Sequence, residues 1–118
     1  MKTINMSWQE FEIAARDIAN QIKQSGIKVS NIYGKPKGGI ILAIRLVYLL
    51  NKPMISKPFF SDEDTLYVDD IVDSGGTLHG VSNYIACLYY NPQASFSPHF
   101  FHFIKPEDSW IVFPWEHE

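Results

Sequence analysis

Asp69, Asp70 and Asp73 crowd into one stretch, "LYVDDIVDSGGTLHG" at residues 66–80, between a run of apolar residues and the pair Gly75-Gly76. Carboxylates held this close repel one another, so the fold gains little from them and something that needs carboxylates should bind there. The glycines let backbone N–H groups turn inward, and a helix starting just beyond adds free donors and a positive dipole end. The hydroxyls of Ser74 and Thr77 can join those donors, which together make a cradle for a phosphate. A phosphate cradle beside carboxylates suits a ligand that also carries hydroxyls or a divalent metal. Carboxylates accept bonds from ribose hydroxyls and bind Mg²⁺ directly or through water. A lone Gly-Gly would be an ordinary turn between strand and helix; the D-D-x-x-D spacing argues for a ligand.

The elements that must position these residues follow from spacing. Ser7 and Glu10 form an S-x-x-E capping box, and Phe11, Ala14, Ala15, Ile18 and Ile22 recur at helical period. That predicts a first helix ending at Gly26. "VSNIYG" reads as a strand, "KPKGG" as a loop, and residues 40–50 as a second helix with Asn51 past its end. "PMISK" is a short strand, "PFFSDEDT" an acidic turn, and residues 66–70 the next strand. Residues 77 to about 89 are expected to form a third helix closed by "YNPQ", followed by an apolar strand in "SPHFFHFIK" and the tail "WIVFPWEHE". Strands alternating with helices imply parallel βαβ units, an α/β sheet with helices on both faces. Ligands bind beyond the carboxyl ends of such strands. Both glycine loops, Gly38-Gly39 and Gly75-Gly76, fall there and so belong to one site.

Composition narrows the class. The 118 residues suffice for one domain, 1–118, and 46% hydrophobic with 14% aromatic residues marks a globular chain. The net charge is −3 and ten Lys and Arg are scattered without a basic run, which argues against a nucleic-acid partner. Cys87 is the one cysteine, excluding an internal disulfide and a thiolate metal cluster. The longest apolar run, residues 40–50, is interrupted by Arg45 and falls short of the roughly 20 residues a membrane span needs. The N-terminus lacks the apolar core of a signal peptide. A soluble, cytoplasmic protein is expected.

The stretch "LYVDDIVDSGGTL" resembles the phosphoribosyl-pyrophosphate (PRPP) binding motif of the type I phosphoribosyltransferases. The resemblance implies that family's single-domain parallel-sheet fold. It implies that Asp69 and Asp70 hold the ribose hydroxyls and, indirectly, Mg²⁺, and that Asp73, Ser74, Gly75, Gly76 and Thr77 wrap the 5′-phosphate. "YGKPKGGI" is similar to the family's pyrophosphate loop, with Lys37 supplying charge and Gly38 and Gly39 close backbone approach. The family often has a cis peptide there, which in this chain falls at Pro36–Lys37.

The C-terminal "HFIKPEDSWIVFPWE" resembles the tail of the 6-oxopurine enzymes, most closely the bacterial xanthine-guanine phosphoribosyltransferases. Carried over, Lys105 donates to the purine 6-oxo group, Trp110 stacks on the ring and the Ile111 backbone meets the base edge. Asp73 then faces purine N7 as the catalytic acid/base, and its surroundings of phosphate and carboxylates are expected to raise its pKa. Trp115 is read as packing on the sheet, Cys87 as core, and His79 as a surface residue. His99 and His102 lack a third ligand for a metal. "HFFHFI" is either central in the sheet or part of a dimer contact.

Family members usually carry a long mobile hood before the aspartate strand, where this chain has only "PFFSDEDT". A lid excludes water and completes a site, so a slow turnover with intact PRPP affinity is expected. The sequence therefore supports a purine phosphoribosyltransferase taking guanine, xanthine or hypoxanthine in nucleotide salvage, forming a dimer or tetramer. Its alternative is a weakly catalytic or non-catalytic module that senses or sequesters PRPP or a purine nucleotide.

Overall fold

The computed structural model describes residues 1–57, 64–76 and 83–116. Helix α1 spans Trp8–Ser25 and is opened by the expected capping box: Glu10 N–H donates to Ser7 Oγ at 3.0 Å and Ser7 N–H to Glu10 Oε1 at 2.9 Å. Its buried stripe is Phe11, Ala14, Ala15, Ile18, Ala19 and Ile22, and Gly26 ends it in the left-handed region at φ 75°. Helix α2 spans Gly38–Leu50 and ends at Asn51, also left-handed at φ 52°. Arg45, the break in its apolar run, reaches α1: its Nε and Nη2 each donate to a Glu12 oxygen at 2.7 Å. Those bonds, with a further one from Arg16, hold the Glu12 carboxyl down at about 2.

The strands are β1 (Lys2–Asn5), β2 (Asn31–Gly34), β3 (Thr65–Val68), β4 (Ile71–Val72), β5 (Tyr84–Ala86), β6 (Tyr89–Tyr90), β7 (Phe103–Ile104) and β8 (Ser109–Val112). β2, β3 and β5 lie side by side in parallel, as do β4, β6 and β7. The two ladders are continuous in hydrogen bonding. Asp69 N–H donates to Ala86 O and Leu88 N–H to Asp70 O, both at 3.0 Å, across the break that Asp69-Asp70 makes between β3 and β4. β3 shows why the sheet is parallel and central, since Leu66 and Val68 enter the cluster with α1 and α2 while Tyr67 faces Val72, Ile85 and Cys87 on the other side. A strand buried on both faces reads as an unbroken apolar run.

That property corrects the expected third helix. Residues 77–82, with His79, lie outside the described residues, but "YIACLYY" is strand: Tyr84–Ala86 pairs with β3 and Tyr89–Tyr90 with β4. Its length and apolarity fit a buried helix equally well, whereas its aromatic residues favour strand. The "HFFHFI" segment is not central either. It contributes Phe103–Ile104 and a bridge at Phe100, paired on one side alone among the described residues. "PMISK" shrinks to a single bridge between Met54 and Ile32. Of the expected acidic turn at 58–65, residues 58–63 lie outside the described residues, and Thr65 opens β3 instead.

β1 had no sequence signal. It pairs in parallel with β8, matching Thr3 to Trp110 and Ile4 to Ile111, and this two-stranded ribbon is what carries the C-terminal tail. Trp8, Phe11, Phe113 and Trp115 pack about its base, with Phe113 and Trp115 stacked at 5.0 Å. Trp115 is thus a packing residue, as expected.

Candidate active site

Two glycine loops meet at the carboxyl ends of β2 and of the β3–β4 strand. Lys35 N–H donates to Val68 O at 2.8 Å, which seats the first loop on the second strand. The Pro36–Lys37 peptide is cis, as the resemblance implied. The glycines of this loop have a use the sequence did not disclose. A Cβ on Gly38 would collide with the Asp70 carboxylate, and one on Gly39 with the Val68 carbonyl and, at 2.9 Å, the Asp69 Cα. Their smallness lets the loop lie against the aspartate pair.

Lys35, which the sequence reading passed over, holds its Nζ 3.8 Å from Asp69 Oδ2. Asp69 Oδ1 accepts from Asp70 N–H, and Asp70 Oδ1 accepts from Ile71 N–H, each at 2.8 Å. Burial and then the neighbouring Asp69 push the Asp70 carboxyl up to about 7. Of the site carboxyls, Asp70 rather than Asp73 is the one poised near neutrality. The second loop turns at Gly75, φ 81°, a conformation that favours glycine. Gly76 N–H donates to Ser74 Oγ at 3.3 Å, and Ser95 braces the loop by donating from N and Oγ to Ser74 O at 2.9 and 3.0 Å. Thr77 lies outside the described residues.

Asp73 stands where three strand ends come side by side. Asp73 follows β4, Asn91 follows β6 and Lys105 follows β7. Lys105 Nζ and Asn91 Nδ2 both donate to Asp73 Oδ1 at 3.0 Å. Burial alone would raise the Asp73 carboxyl, but those two hydrogen bonds and the Lys105 charge outweigh it and leave it below the usual range. The expectation of a raised Asp73 pKa is therefore wrong. It counted the negative neighbours and not the two donors.

Two cavities adjoin at this point. One, of about 350 Å³, is walled by Lys35, Lys37, Gly38, Asp69 and the Ser74-Gly75 turn. The other, of about 200 Å³, is walled by Lys105, Trp110, Ile111, Phe113 and Glu116. Asp70, Ile71 and Asp73 line both. Trp110 is 58% exposed, so its face is available to a flat ligand. Of the residues assigned from sequence to a sugar phosphate, Lys37, Gly38, Asp69, Asp70, Asp73, Ser74 and Gly75 line the first cavity; Lys105, Trp110 and Ile111, assigned to a base, line the second. Glu116, Phe113 and Asn91 join Lys35 as members without a signal in the sequence. His99 and His102 are elsewhere: His99 Nδ1 accepts from Ile85 N–H at 3.0 Å, and His102 Nδ1 lies 2.8 Å from Asp17 Oδ2. Among the described residues no three His, Cys, Asp or Glu side chains group as a metal site.

The sequence matches no protein-family model and no curated protein. Solved structures do match. The purine phosphoribosyltransferase of Pyrococcus horikoshii Ot3 superposes with a TM-score of 0.84 at 27% identity, over 100% of this chain and 97% of that one. The xanthine-guanine-hypoxanthine phosphoribosyltransferase of Helicobacter pylori gives 0.82 at 23% identity, over 97% and 93%. A hypothetical protein from Neisseria gonorrhoeae with bound ppGpp gives 0.77 at 21% identity, over 98% and 90%. The protein has the type I phosphoribosyltransferase fold. Within that fold its structure is similar to those of a purine phosphoribosyltransferase and a xanthine-guanine-hypoxanthine phosphoribosyltransferase.

Proposed function

We propose that the protein transfers the phosphoribosyl group of PRPP to a 6-oxopurine: guanine, xanthine or hypoxanthine. One observation carries the reading. Asp70 and Asp73 form the shared wall of two cavities, one lined by Lys37, Gly38 and the Ser74-Gly75 turn, the other by Lys105, Trp110 and Ile111. Such a wall is where the sugar C1′ would sit, between diphosphate and base. Lys37 and the Gly38-Gly39 backbone would face the diphosphate. Asp69 and Asp70 would face the ribose hydroxyls, with Ser74 to Thr77 around the 5′-phosphate. Asp69 and Asp70, with no third carboxylate, His or Cys grouped with them among the described residues, fit Mg²⁺ held mainly through substrate oxygens and water, and such an ion would neutralise charge on the departing diphosphate.

The bond from C1′ to the diphosphate breaks with its electron pair leaving on pyrophosphate, and a purine nitrogen bonds to C1′. The imidazole proton of the base passes to Asp73, which its two donors keep ionised at neutral pH and so ready to accept. Lys105 has three N–H donors and can turn one to the 6-oxo group while keeping Asp73. The rest is charge and geometry held in place. With only "PFFSDEDT", residues 58–65, in place of a long hood, any deficit is assigned to turnover, not to PRPP affinity. The length match with the P. horikoshii protein supports transfer nonetheless, because a chain of that name carries no long additional segment either.

We place the protein in the cytoplasm, where purine salvage would use it; no described helix is long and apolar enough to cross a membrane, and Cys87 is buried and free. A homo-oligomer is part of the proposal, and Ile44 and Tyr48 on α2 are exposed side chains that a dimer contact would cover. A second reading, a module that binds PRPP or a purine nucleotide without transfer, draws on the N. gonorrhoeae protein that holds ppGpp in the same fold. The base panel tests the reading. Adenine presents an amino group to Lys105, which has no lone pair to accept from it, so transfer to guanine should exceed transfer to adenine by as much as about 10⁴-fold. Equal use of adenine would overturn the oxopurine assignment.

A further inference from the structure

We propose that Asn91 is a positioning residue that fixes which oxygen of Asp73 takes the proton, an inference that rests on the transfer reading above. Four hydrogen bonds pin Asn91. Its N–H donates to Val72 O at 2.9 Å, directly before Asp73, and its carbonyl accepts from Ala94 N–H at 2.9 Å. Its side-chain Oδ1 accepts from Gln93 N–H at 3.0 Å, and Nδ2 donates to Asp73 Oδ1 at 3.0 Å. With the oxygen end of the amide engaged by its own turn, the NH₂ end has to face Asp73. The amide orientation is fixed by the backbone, not by Asp73 alone.

Lys105 donates to the same Oδ1. Both donors therefore load one oxygen, and Asp73 Oδ2 receives no hydrogen bond among the described residues. Oδ2 is the oxygen left to meet the base. The two donors differ in charge and in tether. Lys105 is a cation that the 6-oxo group of a base would attract, whereas Asn91 is neutral and tied to the end of β6 by its own turn. While Lys105 divides its donors between Asp73 and the 6-oxo group, Asn91 keeps Oδ1 in place and keeps the carboxylate oriented across the cavity. The charged groups that share a cavity with Asp73 are Lys105, Asp70 and Glu116 on the base side and Lys35, Lys37, Asp69 and Asp70 on the sugar-phosphate side. Among the described residues, Asn91 is the one uncharged donor to the Asp73 carboxylate.

The test uses Asn91→Ala and Asn91→Asp. The Asp variant is isosteric and keeps an oxygen for Gln93 N–H, so the turn survives while the donor to Asp73 becomes a like charge. Carboxyl ¹³C NMR of the whole protein, with the Asp73 signal identified by its loss in Asp73→Asn, reads the titration directly. The acid limb of the kcat/KM profile for guanine reads it in turnover. Asn91→Ala should move both upward by about one pH unit, and Asn91→Asp should move them further, with Mg²⁺-dependent PRPP affinity unchanged. A merely structural role would lower thermal stability and leave both titrations where they are. If the wild type makes no nucleotide, the transfer reading falls, and the role of Asn91 falls with it. If the wild type transfers and Asp73 titrates identically in all three proteins, the Asn91 inference alone is overturned.

Discussion

Replacing Asp70 with Asn should stabilise the fold at neutral and alkaline pH while weakening the binding of PRPP. Asp70 is held against Gly38, and burial with Asp69 beside it raises its carboxyl from 3.8 to about 7. An acid whose pKa rises on folding favours the native state below its unfolded value. That advantage is lost as pH climbs through the folded value, because the native carboxyl then has to ionise in place. For Asp70 the penalty grows between about pH 4 and 7 and is full above 7. A difference of roughly 3 units corresponds to a ceiling of about 4 kcal/mol. Asp69 shares the effect and the site keeps some solvent, so about 2 kcal/mol is the expected gain at pH 8. Asn keeps an oxygen for Ile71 N–H, the bond that Asp70 Oδ1 accepts at 2.8 Å. Urea denaturation of wild type and Asp70→Asn at pH 4, 6 and 8 measures it. The curves should nearly coincide at pH 4 and separate in favour of Asn at pH 8. A variant equally or less stable at pH 8 would refute the crowding argument. Calorimetric titration of Mg²⁺-PRPP should show the opposite trend, with the variant weaker, and the Asp69→Asn/Asp70→Asn double variant weaker still.

Gly39→Ala should destabilise the fold by about 1–3 kcal/mol, because a methyl there meets the Val68 carbonyl and the Asp69 Cα; thermal melts check this, and a neutral result would refute the close-approach account. Trp110→Ala should weaken purine binding about tenfold or more while leaving PRPP affinity intact, as expected for loss of a stacking face worth about 1–3 kcal/mol. Quenching of tryptophan fluorescence on adding guanine should likewise vanish in that variant.

Much of this architecture was legible because its signals are local. The Ser7–Glu10 box, the stripe from Phe11 to Ile22 and the left-handed stops at Gly26 and Asn51 are all written within a few residues of where they act. The two loops were legible for the same reason, since D-D-x-x-D and the paired glycines carry their chemistry in their spacing. What was not legible depends on partners distant in sequence. β1 exists because β8 lies beside it, more than a hundred residues later, and "KTIN" has no alternation to announce it. "YIACLYY" became two strands because β3 and β4 offer it a ladder. Asp73 gained its lowered pKa from Asn91 and Lys105, which reach it only through the order of β4, β6 and β7. The "YNPQ" turn was read as the close of a helix, which concealed Asn91 at a strand end.

The central claim is that the two cavities hold a sugar diphosphate and an oxopurine on either side of Asp73, and one measurement addresses it directly. Purified protein is incubated with PRPP, Mg²⁺ and each of guanine, xanthine and hypoxanthine, and nucleotide and pyrophosphate are quantified together. The account predicts equal amounts of the two products with at least one oxopurine, and a turnover lowered about 10²–10⁴-fold by Asp73→Asn. PRPP bound by the wild type with no nucleotide formed from any of the three bases would contradict it.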